Sequence, residues 1–103
     1  MFKIDKAVLV VIDVQGKLAE IVHQKEQTYS SLQKLIKACQ ILQIPIIHTE
    51  QLPEKIGSTI EPFASLLKGS QYFLKSTFSC CGADDFLKFL RNQKRSQVIV
   101  AGI

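Results

Sequence analysis

The feature that most constrains the fold is a short, wholly apolar segment near the start of the chain. Residues 7–12 read AVLVVI, a run rich in β-branched side chains, and the run ends abruptly at Asp13. A continuous apolar run of this length is typical of a strand that is covered on both faces, as the strands of parallel sheets are. The segment therefore predicts a central strand in a parallel sheet, with helices on both sides.

The longest helical pattern follows this strand, over residues 28–43. Its apolar positions repeat at the helical period and form one stripe. They are Leu32, Leu35, Ile36, Cys39 and Leu42. Thr28 or Ser30 is suited to cap the start of the helix, and Cys39 is predicted to belong to the core.

The rest of the chain continues to alternate between strand and helix patterns. The predicted elements are strands over residues 44–49, 71–74 and 97–101, a loop over 51–58, and helices over 60–67 and 83–92. A β-α-β-α-β-α-β order favours a parallel sheet with right-handed crossovers. At 103 residues the chain is expected to form one α/β domain.

Composition narrows the class of protein further. The formal charge of +4 is small, and its densest cluster (Lys88, Arg91, Lys94 and Arg95) has no aromatic residues among its charges. We therefore expect no nucleic-acid partner. Three cysteines, an odd number without a disulfide spacing, favour a reducing cytoplasm. No apolar run of about 18 residues is present, so no membrane span is expected.

The polar residues that end the predicted strands are the candidates for chemistry. Ligands of open parallel sheets bind beyond the carboxyl ends of the strands, where the sequence places Asp13, His48 and Lys75. A carboxylate at the tip of an apolar strand can act as a base. A lysine in the same crevice can hold that carboxylate ionised or stabilise an oxyanion. Each of the two also has an ordinary structural interpretation, as a turn aspartate and a surface lysine.

Other candidates are weaker. His48 can be a metal ligand, but it has no clear companion, and a crevice or core histidine is the simpler interpretation. Cys80 and Cys81 lie where a loop enters a helix, and we interpret them as structural. An aspartate-based phosphotransferase would need a second aspartate two residues after Asp13, where the chain has Gln15.

Four segments in this order resemble the isochorismatase-like family of cysteine hydrolases. They read VVIDVQ from Val10, IHTEQ from Ile47, LKSTFS from Leu74 and VIVAGI from Val98. Details around Thr49 and Phe78 are most similar to the isochorismatase domain-containing subgroup. The match covers the whole chain and corresponds to the N-terminal part of the family domain.

The resemblance implies a three-layer α/β/α, Rossmann-like fold. Its strand order would be 3-2-1-4 within this chain and 3-2-1-4-5-6 in the complete family fold. It also implies a cysteine–aspartate–lysine triad in which Asp13 and Lys75 are catalytic. Gln15, Gln51 and Phe78 would bind a small amide-type substrate. The resemblance implies no metal and no cofactor, since the histidine-rich motif of the nicotinamidase branch is missing after residue 48.

In the family the nucleophilic cysteine follows the segment that ends here at Ile103. We therefore expect residues 1–103 to be a domain truncated at the end of the fourth strand and inactive alone. The alternative is a non-catalytic α/β interaction module. Truncation would expose the apolar strand at residues 98–100 as a sheet edge, which predicts an unstable or self-associating chain. A homo-oligomer is expected for the complete family member.

Overall fold

A computed structural model describes residues 1–75 and 84–102 of the chain. Its centre is a four-stranded sheet whose strands are all parallel, in the order β3-β2-β1-β4. The strands are Ala7–Ile12 (β1), Ile46–Gln51 (β2), Gln71–Lys75 (β3) and Gln97–Gly102 (β4). The predicted fold class and strand order are therefore confirmed.

Helices cover both faces of this sheet. They are Gly16–Glu20 (α1), Lys25–Ile41 (α2), Pro53–Ile56 (α3), Phe63–Leu66 (α4) and Asp84–Asn92 (α5), and a 3-10 turn at Ile4–Lys6 precedes β1. None of the described helices is long and apolar enough to cross a bilayer.

Strand β1 is the middle of the core because it is covered from both sides. Successive side chains of a strand point to opposite faces. Leu9 and Val11 accordingly pack in a cluster with α2 and α4, whereas Val8 and Val10 pack with Phe86 of α5. The unbroken apolar run follows from this double burial, as the sequence predicts.

Helix α2 differs from the prediction at both ends. It begins at Lys25, after Gln24 in a left-handed conformation, and no side chain caps its start. The predicted caps are wrong because Thr28 already lies in the first turn, where its N–H donates to the Gln24 carbonyl. Packing fixes the start instead, since Tyr29 donates a hydrogen bond of 2.6 Å to the Ala19 carbonyl. Cys39 is buried in the core, as predicted.

Three other predicted elements have different bounds in the structure. The helix predicted over residues 60–67 is confined to Phe63–Leu66 and begins after Pro62. Strand β2 begins and ends two residues later than predicted. Pro45 lies just before it, and the Pro45 carbonyl accepts a hydrogen bond from the Leu9 N–H of β1. The predicted loop over residues 51–58 contains helix α3, which begins at Pro53. Proline suits the first helical turn because its missing N–H would be unpaired there.

Strand β4 is the outermost described strand on its side of the sheet, and it is poorly protected. Val98 and Val100 point to the α5 face but are 46% and 64% exposed. The strand carries no charge, no proline and no bulge, which are the features that usually discourage pairing at an edge. The predicted apolar edge is present in the described part of the chain.

This edge predicts self-association that one charge should suppress. In light-scattering measurements over a dilution series, the 103-residue chain should gain mass with concentration. Val100→Lys should stay close to the monomer mass, since a charged side chain on an edge strand opposes pairing with another chain. Ile41→Lys is the matched control, because Ile41 is 80% exposed on α2 and its substitution should leave association unchanged. A wild-type monomer at every concentration contradicts the prediction.

Candidate functional site

The end of β1 turns sharply and presents Asp13 at the carboxyl edge of the sheet. Asp13 has φ 54°, a left-handed conformation that aspartate tolerates better than most residues. Its N–H donates to the Thr49 carbonyl at 3.2 Å. Its Oδ1 accepts a hydrogen bond of 2.8 Å from the Thr49 hydroxyl. The carboxylate is therefore held from β2, the neighbouring strand.

Lys75 reaches this carboxylate from the last residue of β3. Its Nζ lies 2.8 Å from Asp13 Oδ2. The two strands are not neighbours, because β2 lies between them and places them about 10 Å apart. The four-carbon stem of the lysine crosses that gap. The structure thus brings together the two residues that the sequence singles out as catalytic.

The ion pair is largely withdrawn from water. The Lys75 side chain is 1% exposed and the Asp13 side chain 17%. Removing two charges from water carries a desolvation cost that their attraction only partly offsets, so such a pair is weak evidence for a role in stability. The pair lies at the carboxyl edge of a parallel sheet, which is where ligands of open parallel sheets bind.

Gln15 is held inside the protein by hydrogen bonds to neighbouring backbone. It is fully buried, and its Nε2 donates to the carbonyls of Gln51 at 3.1 Å and Gly57 at 2.7 Å. Its Oε1 accepts a hydrogen bond of 2.7 Å from the Gln51 N–H. Both amide hydrogens are used within the protein, so the geometry favours a positioning role for Gln15 over substrate contact.

The segment that Gln15 holds, residues 52–60, packs closely against the turn after Asp13. The Gly16 N–H donates to the Ser58 carbonyl at 3.1 Å. Gly16 has φ 45°, and a Cβ there would lie 2.1 Å from the Ile56 carbonyl oxygen. Only glycine permits this approach. The turn and the segment therefore form one wall beside the ion pair.

Glu50 holds the segment over residues 52–60 near its C-terminal end through hydrogen bonds. The sequence did not predict this role. Its Oε2 accepts hydrogen bonds from the N–H and the hydroxyl of Thr59, and its Oε1 accepts one of 2.7 Å from the Tyr72 hydroxyl. Burial raises the pKa of the Glu50 carboxyl, but these hydrogen bonds and nearby His48 outweigh that effect, so the pKa lies below its ordinary value. Burial and the bond to Glu50 raise the pKa of Tyr72 to about 12.

His48 lies beside Glu50 on the face of β2 opposite Thr49. Its Nδ1 shares a hydrogen bond with the Ser70 hydroxyl, and its ring lies 5.1 Å from that of Tyr72. Burial lowers the pKa of His48, and Glu50 partly offsets this. Within residues 1–75 and 84–102, no group of three or more potential ligands could hold a metal ion. These contacts fit the prediction of a satisfied crevice histidine.

A cavity of about 300 Å³ adjoins Lys75. Its lining residues come from the segment after β2 and the end of β3. They are Leu52, Pro53, Glu54, Leu74 and Lys75. Gln51 pairs with Lys75 in the sheet register, so its side chain lies on the same face as the lysine. The predicted binding residue Phe78 and the cysteines Cys80 and Cys81 lie outside the described residues.

A family model and the curated relatives that match this chain point to the same family. The isochorismatase domain model matches residues 7–103. Isochorismatase domain-containing protein 2 of Danio rerio is 32% identical over 99 residues, which cover 94% of this chain and 48% of that protein. Isochorismatase family protein 1A of Dictyostelium discoideum is 28% identical over 105 residues, which cover 94% of this chain and 49% of that protein. The chain thus spans about half the length of these curated relatives.

Solved structures agree in fold. The MAR1 ribonuclease of Caenorhabditis elegans superposes with a TM-score of 0.86 at 30% identity, covering 98% of this chain and 52% of that one. The YcaC gene product of Escherichia coli, an octameric hydrolase of unknown specificity, superposes with a TM-score of 0.90 at 17% identity. The superposition covers 99% of this chain and 52% of that one. At 17% identity the likeness concerns the fold alone.

The Glu50 contacts predict a specific loss of stability in acid. A carboxyl whose pKa is depressed by folding stabilises the protein above its ordinary pKa, near 4.5. That stability is lost as the pH falls through the depressed value. In urea denaturation between pH ~7 and pH ~3, wild type should lose more stability than Glu50→Gln, by at most about 2 kcal/mol, the limit that linkage sets for one carboxyl with an ordinary pKa near 4.5. The exposed Glu54→Gln should behave like wild type. Equal acid losses in wild type and Glu50→Gln would rule this role out.

Proposed function

This chain belongs to the isochorismatase family, and from that membership we propose that Asp13 and Lys75 are two members of the catalytic triad of a cysteine hydrolase. The substrate is a small amide or a related compound. The observation that supports this most is the 2.8 Å contact between Lys75 Nζ and Asp13 Oδ2 at the carboxyl edge of the sheet. The third member is the cysteine that follows the fourth strand in the family pattern, and it is not among these 103 residues.

In the proposed reaction Asp13 carries the protons. Its carboxylate takes the proton of the thiol, and the thiolate attacks the carbonyl carbon of the amide. The C–N bond then breaks, and the leaving amine takes the proton from Asp13. Water next attacks the thioester carbon, giving one proton to Asp13, and the C–S bond breaks to release the acid and return the proton to sulfur.

Lys75 has an electrostatic part in this scheme. Its ammonium group stabilises negative charge on the attacking sulfur and on the carbonyl oxygen. Low exposure makes both effects stronger than they would be in water.

The cavity beside Lys75 is the proposed place for the substrate, and the Gln51 carboxamide, which makes no hydrogen bond to another described residue, is available to bind it.

A ribonuclease is the second candidate, because the C. elegans neighbour carries that name at 30% identity. RNA binding depends on cations that contact phosphates. In this chain the basic cluster spans the end of α5 and the segment that leads to the amino end of β4, far from the carboxyl edge with Asp13. Arg95 of that cluster donates to the carbonyls of Ile4 and Ala7. The geometry therefore favours a small substrate.

Assembly and location are further parts of the proposal. E. coli YcaC is an octamer, and by analogy we expect the complete protein to be a homo-oligomer. The three cysteines of these 103 residues, an odd number without a disulfide spacing, favour the cytoplasm.

The test compares the 103-residue chain with a longer chain that continues through the segment after the fourth strand. On simple amides only the longer chain should show turnover. In it, Asp13→Asn and Lys75→Met should each lower kcat by about 10²–10⁴-fold, since each removes proton transfer or charge stabilisation.

Matched controls for these variants are Asp5→Asn and Lys68→Met, which change exposed residues away from the site and should retain full activity. Equal turnover by the short and long chains contradicts the proposal, as does full activity of Asp13→Asn. Cleavage of single-stranded RNA in place of amides, lost in the same two variants, would favour the ribonuclease.

A further inference from the structure

We propose that Thr49 is a positioning residue whose hydroxyl fixes the Asp13 carboxylate for its partner Lys75. This inference rests on the proposed function, since it gives a purpose to the orientation of that carboxylate. Thr49 does not need to touch substrate in this role. It acts through Asp13.

Thr49 contacts Asp13 from the strand that lies between the strands of the two charged residues. It lies on β2, the strand that separates β1 from β3, and pairs with Ile12, the residue before Asp13. It is 2% exposed. Two hydrogen bonds join it to Asp13, one between main chains at 3.2 Å and one from its Oγ1 to Oδ1 at 2.8 Å. Asp13 is thus held at both its backbone and its carboxylate.

The two oxygens of the carboxylate have different partners. Thr49 donates to Oδ1, whereas Lys75 contacts Oδ2. Any rotation of Asp13 about its Cα–Cβ bond would break both contacts together. The lysine stem is long and has several rotatable bonds, so its ammonium group restrains the carboxylate less tightly than a short side chain does. The threonine side chain is short and β-branched, with a strongly restricted χ1, and it offers a fixed point.

Packing alone does not explain a threonine at this position. Valine would fill nearly the same volume but would leave Oδ1 without a donor in a nearly buried place. The backbone of Asp13 adds to the need. Its left-handed turn ends the strand, so strand geometry no longer restrains the side chain, although the N–H still donates to the Thr49 carbonyl. A hydroxyl on β2 restores that restraint at the side chain.

The test measures the Asp13 side chain directly by NMR. Three-bond couplings from the Asp13 carboxyl carbon to its backbone nitrogen and carbonyl report how χ1 is distributed among rotamers. Wild type and Thr49→Ser should both give single-rotamer couplings, since serine retains the hydroxyl. Thr49→Val should give couplings reduced toward rotamer averages, together with faster solvent exchange of the Lys75 ammonium protons.

Every outcome decides the question. Single-rotamer couplings in Thr49→Val overturn the proposal, and so does averaging in Thr49→Ser equal to that in Thr49→Val. If Thr49→Val does not fold, judged by its amide spectrum, Thr49→Ala is measured by the same criteria. The couplings need no turnover, so an inactive longer chain would remove the proposed function and leave this result standing.

Discussion

The ion pair between Lys75 and Asp13 is the interaction on which the account of the site depends. It spans β2 at the carboxyl edge of the sheet, with a 2.8 Å contact. Two charges so far from water are stabilised only when the surrounding structure fixes them with good geometry. The strand order 3-2-1 supplies that geometry, because it sets the two residues on either side of a strand that can support both.

The region around the pair is fixed by polar side chains that are themselves buried. Gln15 binds the backbone of residues 51 and 57, and Glu50 binds Thr59 and Tyr72. Among the described residues, no buried side-chain nitrogen or oxygen lacks a hydrogen-bond partner. A fully satisfied network of this kind is rigid. The segment over residues 52–60 therefore forms a fixed wall for the cavity beside Lys75.

Much of this could be predicted from local sequence. The apolar run before Asp13 indicates a doubly covered parallel strand, and the rule that sites lie at carboxyl ends makes Asp13, His48 and Lys75 candidates. The family resemblance is what selects Asp13 and Lys75 as a catalytic pair. The contributions of Gln15 and Glu50 could not be predicted, because they depend on partners up to 42 residues away that only the folded chain brings near. The start of α2 was missed for a similar reason, since tertiary packing through Tyr29 replaces a local cap.

A double-mutant cycle between Asp13 and Lys75 tests the central claim most directly. The free energy of unfolding is measured for wild type, Asp13→Asn, Lys75→Met and the double variant, at neutral pH and low salt. If the two side chains form the nearly buried contact described here, the double variant should be destabilised less than the sum of the single ones, by about 1 kcal/mol or more. Effects that add to within about 0.5 kcal/mol would show that the two residues do not interact, and the site would have to be sought elsewhere.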